Sequence, residues 1–273
     1  MISARAASAV LAAWYWLVVA FLFAPLVVVV LFSLNDAEVS ILPIRALSGR
    51  WYAMLMKDQT VLHALGNSLI VAVAAVVVSV LLGAPLAIGA HRHGGKVGRA
   101  LVGFALVPMM IPALILGVSL LTLLNALNAQ LSLVSVTLGH TLICLPYVVL
   151  VLDARLAGYD PRLDEAALDL GAGPLMLLWT ITLPLLAPAI TAAALLAFTL
   201  SFDDVVVAFF LTGRENTLPM TIWAMLRYGI TPELNALAAL TILVSALTAL
   251  LAEMTLRNAR SISAHPNLKE TSS

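Results

Sequence analysis

Few residues in this chain have the chemistry to bind or to react, and the pair Asp203-Asp204 is set apart by its surroundings. Both carboxylates fall within an apolar run from about Leu185 to Leu211, with Val205-Val206-Val207-Ala208-Phe209-Phe210-Leu211 still to follow. At about 1.5 Å of rise per residue, a helix through this run carries them toward the outer half of a bilayer. A carboxylate at that depth is costly unless it faces a partner or a wet cavity. Adjacent helical positions point roughly 100° apart, so the two need not share surroundings. A span that ended early would leave both at the outer interface. Their depth favours the other reading, an acidic lining that accepts a cation.

The remaining candidates are weaker. His91 and His93 alternate within His91-Arg92-His93-Gly94-Gly95-Lys96-Val97-Gly98-Arg99 but lack a carboxylate or thiol to complete a metal site. The segment reads instead as a positive cytoplasmic anchor. Cys144 is the lone cysteine and lies in an apolar run, which excludes a disulfide framework and suits a small buried hydrophobe. The chain has no Gly-x-x-x-x-Gly-Lys phosphate loop, so energy from ATP must come through a partner. No nucleophile–base pair stands within the apolar runs, which argues against a membrane-embedded enzyme. A proton-coupled secondary transporter could use the aspartates, and would show internal repeats with interrupted helices. No cofactor is expected.

The elements that must position these groups follow from composition. The 273 residues are 62% hydrophobic and 10% charged, with a mean hydropathy of +1.07. That balance belongs to an integral membrane protein, and a formal net charge of zero gives no electrostatic case for nucleic acid. Apolar runs of bilayer length lie at about Leu11–Leu34, Asn67–Ala90, Ala100–Leu124, Val134–Leu152, Leu185–Leu211 and Leu234–Leu256. The fold class is therefore all-α, with about six transmembrane helices in one domain over 1–273 and a polar tail from about residue 257. The first run is too long for a signal-peptide core and is expected to be retained. Arg50-Trp51-Tyr52, in the loop before the second run, is expected at the membrane interface. Pro108 and Pro112 must break the hydrogen-bond ladder of the third run, as a structural kink or in a pathway-lining helix.

Between the fourth and fifth runs lies an acid-rich segment, Asp160-Pro161-Arg162-Leu163-Asp164-Glu165-Ala166-Ala167-Leu168-Asp169-Leu170-Gly171. Asp160 caps a helix that begins at Pro161, and Gly171 supplies the left-handed residue that ends it. Leu163, Ala166, Ala167 and Leu170 share one face; Arg162, Glu165 and Asp169 lie on the other. Gly173-Pro174 starts a second short helix. Such a pair suits docking into another protein's groove. Charge placement agrees. With the N-terminus inside, Arg5, Arg92, Lys96, Arg99, Arg155, Arg162, Arg257, Arg260 and Lys269 are cytoplasmic, against Arg45, Arg50, Lys57, Arg214 and Arg227 outside. Both termini then lie in the cytoplasm.

Glu165, Ala166, Ala167, Gly171, Ile181, Leu183 and Pro184 match in spacing the Glu-Ala-Ala loop of ABC importer permeases, and the segment resembles that cytoplasmic coupling element. Asn67-Ser68-Leu69, Ala197-Phe198-Thr199-Leu200-Ser201-Phe202-Asp203-Asp204, Thr217-Leu218-Pro219-Met220 and Pro232-Glu233-Leu234-Asn235-Ala236-Leu237-Ala238 resemble the spermidine/putrescine-type permeases over nearly the whole chain. The resemblance implies a bacterial inner-membrane permease working by alternating access. Its implied partners are a second related permease, two copies of an ATPase, a periplasmic substrate-binding protein and membrane lipid. Glu165, Ala166, Ala167 and Gly171 would meet the ATPase, and Asp203 and Asp204 would line the substrate pathway. There is one departure. Polyamine permeases carry an acidic residue directly after the second proline of the third span, where this chain has Ala113. Related permeases carry other solutes, including aminoethylphosphonate and opines; a polyamine such as spermidine or putrescine is the leading expectation, with these as the alternatives.

Overall fold

The computed structural model describes residues 4–37, 44 and 46–263. Of the residues in the charge count, Arg45 and Lys269, and the side chains of Arg5 and Arg260, lie outside that description. The long apolar runs are helical because in a bilayer a helix alone satisfies every backbone group within one segment. Among the described residues, five helices are long and apolar enough to cross a membrane, and a sixth crossing results if one sharply bent pair counts as a span. The expected six-span, all-helical architecture is thus present.

The described residues fall into two compact units. One gathers those of Met1–His63 and Thr221–Leu243. It holds α1 (Ala4–Ser33), which runs on past Pro25, and the short α2 (Arg50–Leu55). The Trp51-Tyr52 pair packs against the end of α1. Trp51 is only 8% exposed, its Nε1–H donates to the carbonyl of Asn35 at 2.8 Å, and Arg50 lies over its ring. The Tyr52 hydroxyl meets Ser33 Oγ at 2.7 Å. Polar partners at the end of α1 draw the aromatic pair inward.

The second unit, Ala64–Met220 with Val244–Ser273, carries the sites of interest. It contains most of α3 (Gln59–His93), then α4 (Gly95–Met110), α5 (Ala113–Ala126) and α6 (Leu133–Leu156). After these come α7 (Arg162–Asp169), α8 (Pro174–Leu177), a π-helical turn over Leu178–Thr182, α9 (Leu183–Asp203) and α10 (Val206–Leu211). α11 (Leu218–Leu226) and α12 (Pro232–Ser263) each begin in one unit and end in the other. α12 carries helix beyond residue 257, where a polar tail was expected, as far as Ser263.

Two apolar runs are broken, the third where its prolines predict an interruption and the fifth where a continuous span was expected. The third run is split into α4 and α5, bent by 96° across Ile111-Pro112. Pro108 stays inside α4 and only Pro112 ends it, because a residue before proline is driven out of the helical region. Ile111 accordingly has φ −88° and ψ 125°. The fifth run divides at Asp204-Val205 into α9 and α10.

Packing explains why α10 can be so short. Val207, Ala208 and Leu211 are buried with Val71 of α3, Leu116 of α5 and Val136 of α6. Gly117 and Gly139 let α5 and α6 approach: a Cβ on Gly139 would stand 2.5 Å from Leu211 Cδ1, and one on Gly117 2.7 Å from Phe210 Cδ2. A second core joins Ala189, Ala193 and Ala197 of α9 to Cys144, Val148 and Leu152 of α6 and Ala84 and Ala87 of α3. Small residues on facing helices bring backbones close, the usual packing solution inside a bilayer.

Candidate functional site

The acid-rich segment forms the expected helix pair. The Asp160 carboxylate accepts from the N–H of Arg162 at 3.0 Å, satisfying an orphan donor at the start of α7. Gly171 ends α7 with φ +84°; its N–H reaches the Leu168 carbonyl, and the Ala172 N–H reaches that of Ala167. Those two bonds make a Schellman cap, which needs a residue free to adopt positive φ. Gly173 and Pro174 then start α8. Of the apolar face only Ala167 is buried, whereas Leu163, Leu168 and Leu170 are exposed, Leu170 at 89%. Glu165, Ala166 and Gly171 are exposed as well.

Polar groups from three other places converge on the first turn of α7. Asp164 accepts from the Tyr159 hydroxyl and lies 3.8 Å from Arg92 Nη2 at the end of α3. The same Nη2 donates to Thr182 Oγ1 at 3.0 Å, on the last residue of the π turn. The Tyr159 phenol is pushed up to about 12, first by burial and then by its bond to Asp164, so it stays a donor. His91 sets its ring edge-on to Tyr159.

The aspartates occupy the break between α9 and α10 and face different ways. Asp203 ends α9 with an exposed carboxylate, both oxygens accepting from Ser245 Oγ of α12 at 2.9 Å. Asp204 is extended, with φ −71° and ψ 127°. Its Oδ2 accepts from the N–H groups of Val207 and Ala208 at 2.9 and 3.1 Å, capping α10. The same oxygen lies 3.2 Å from His140 Nε2, near enough for an ion pair but off the line a hydrogen bond needs. His140 is 1% exposed, and its Nδ1 meets Ser201 Oγ at 2.7 Å.

A serine, a histidine and an aspartate in contact invite comparison with a hydrolytic triad, but Ser201 and His140 are sealed from any substrate. The trio fixes the helix break. Asp204 is therefore occupied, while Asp203 retains acceptor capacity. His140 is a further ionisable group within the spans, so these are not confined to the aspartates. A histidine in an apolar span is itself a signal, since such a group needs a named partner. Arg92, Tyr159 and Thr182 gave no comparable signal, because their meeting depends on the folded chain.

Residues 79–259 match the family described as binding-protein-dependent transport system inner membrane component. The chain is 35% identical over 240 residues to the spermidine/putrescine transport system permease protein PotC of Escherichia coli strain K12, covering 88% of this chain and 90% of that one. It is 39% identical over 230 residues to the putrescine transport system permease protein PotI of the same strain, covering 81% of each. In fold it resembles a bacterial ABC transporter that imports the acidic polysaccharide alginate, with a TM-score of 0.73 at 17% identity over 93% of this chain and 98% of that one. Helix content and span number agree with these likenesses, and the chain belongs to the binding-protein-dependent transport system inner membrane components, the permease subunits of ABC importers.

Proposed function

We propose that this permease imports a polyamine, such as putrescine or spermidine, along a route to which the Asp203 carboxylate contributes the attraction for a cation. The observation that carries this reading is an exposed carboxylate at a helix break within the spans, held by one hydroxyl and, among the described residues, by no cation. The names of the two Escherichia coli relatives point the same way. Asp204 belongs to the same site as the group that shapes the break. Glu165, Ala166, Ala167 and Gly171 form the contact with the ATPase, which fits the unpartnered apolar face of α7. The working assembly pairs this chain, as a single permease domain, with a second related permease, two copies of an ATPase that carry out all the hydrolysis, and a periplasmic binding protein. Both termini face the cytoplasm, as the charge bias requires. Solute passes by alternating access.

Ala113, the first residue of α5, favours a second reading. Without an acid there the route is less negative, which suits a zwitterionic or anionic solute such as aminoethylphosphonate or an opine. Proteoliposomes containing the complete importer and its binding protein distinguish the two. ATP-dependent uptake of labelled putrescine, suppressed by excess spermidine and untouched by aminoethylphosphonate, is expected. Uptake of aminoethylphosphonate without putrescine would overturn the polyamine assignment.

A further inference from the structure

The helix proposed to meet the ATPase is eight residues long, too short to hold its shape in water unaided. Its placement must come from tertiary contacts, yet of its residues only Ala167 is buried. What fixes it is the polar cluster around Asp164, next in sequence to Glu165. Arg92 Nη2, at the end of α3, sits between Asp164 Oδ2 at 3.8 Å and Thr182 Oγ1 at 3.0 Å. Thr182 is buried and closes the π turn from which α9 rises. Tyr159, from the linker before α7, donates its hydroxyl to the same carboxylate and leans its ring on His91. Three places in the chain are thus tied to the first turn of one short helix.

We propose that Arg92 is a positioning residue for energy coupling: it clamps α7 to the ends of α3 and α9, so that a displacement of α7 is carried into the spans. This deepens the proposed function and rests on its assignment of α7 as the ATPase contact. An exposed ion pair alone would do little. Here the pair is partly shielded and extended by Thr182 and Tyr159 into a network, and the guanidinium fork suits a group that must serve two acceptors. Lysine keeps the charge but presents a single point of contact. The linkers on either side of α7 contain Gly158, Gly171 and Gly173, and would absorb its motion if the clamp were absent.

The test uses the complete importer in proteoliposomes, reading putrescine taken up per ATP hydrolysed. Arg92→Gln is expected to lower that ratio by roughly 2- to 30-fold, the range seen when residues along a coupling network are changed. Arg92→Lys should fall between it and the wild type, and Tyr159→Phe, which removes one hydroxyl and keeps the ring, should lower the ratio mildly. Exchanging the charges in Arg92→Asp with Asp164→Arg should restore part of what either change loses, and the ratio should change at unchanged abundance and assembly, which a merely structural lesion would lower. A wild-type ratio in Arg92→Gln, or an exchange no better than its single changes in a normally assembled complex, overturns the clamp. A wild-type complex that takes up aminoethylphosphonate and not putrescine would overturn the polyamine reading alone, and the same ratio read with that solute still decides the clamp.

Discussion

At the scale of single residues, the two neighbouring aspartates have different work. Asp204 accepts two backbone N–H groups and lies against a buried imidazole, while Asp203 meets one serine hydroxyl. Hydrogen bonds to a charged group are worth roughly 1.5–3 kcal/mol, so Asp203→Asn should reduce uptake about tenfold or more. Membrane abundance and assembly with the ATPase should be unchanged, since the amide keeps shape and hydrogen bonding. Asp204→Ala is a different lesion. It removes the α10 cap, a loss of about 1 kcal/mol, and empties the space beside the buried His140 ring. Thermal unfolding in detergent should therefore show Asp204→Ala clearly destabilised and Asp203→Asn close to wild type. Equal behaviour of the two in both measurements would remove the division of labour.

At the scale of elements, the start and end of α7 were legible in the sequence, because caps are written locally: Asp160, Pro161, Gly171 and Pro174 each act within a few residues of themselves. The spans were legible for the same reason, as runs of composition. The breaks were only half legible. Pro112 announced an interruption, but how far α5 swings away depends on Gly117 meeting Phe210. The break after Asp203 gave no compositional sign, because Val205–Leu211 continues as apolar as before. It forms because Asp204 caps a new helix and Gly139 makes room for it. His140 was missed because its partners lie on the far side of the docking loop. For α7 itself, Glu165→Lys reverses a charge on the exposed face, and Gly171→Asp forces a side chain into φ +84° at a cost of about 1 kcal/mol. No neighbouring atom stands within 4 Å of a Cβ there, so the protein should still insert and accumulate. Uptake should fall severalfold in both variants at near-normal abundance. Wild-type uptake with the ATPase still bound would take the docking role away from α7.

At the scale of the whole molecule, the orientation is open to direct measurement. Cys144 is the lone cysteine and is fully buried, so cysteines introduced elsewhere can be labelled against a silent background. Replacements at His93 and Pro161 should react with an impermeant thiol reagent only after the cytoplasmic side is opened. Replacements at Asp58 and Asn216 should react in intact cells with a permeable outer membrane. Reaction of the His93 replacement from outside would reverse the orientation and, with it, the side from which an ATPase could reach α7.

The bend at Ile111-Pro112 sets a condition on what surrounds the chain. At about 1.5 Å per residue, the 14 residues of α5 reach roughly 21 Å and the 16 of α4 roughly 24 Å, each short of a hydrocarbon layer about 30 Å thick. Met110 on the elbow is 83% exposed, and Ile111 and Leu114 are open as well. Lipid tails have no donor or acceptor to offer the peptide groups that the turn releases. The elbow is thus a stretch of backbone that oil cannot wet, and in a bilayer either water or another protein has to stand against it.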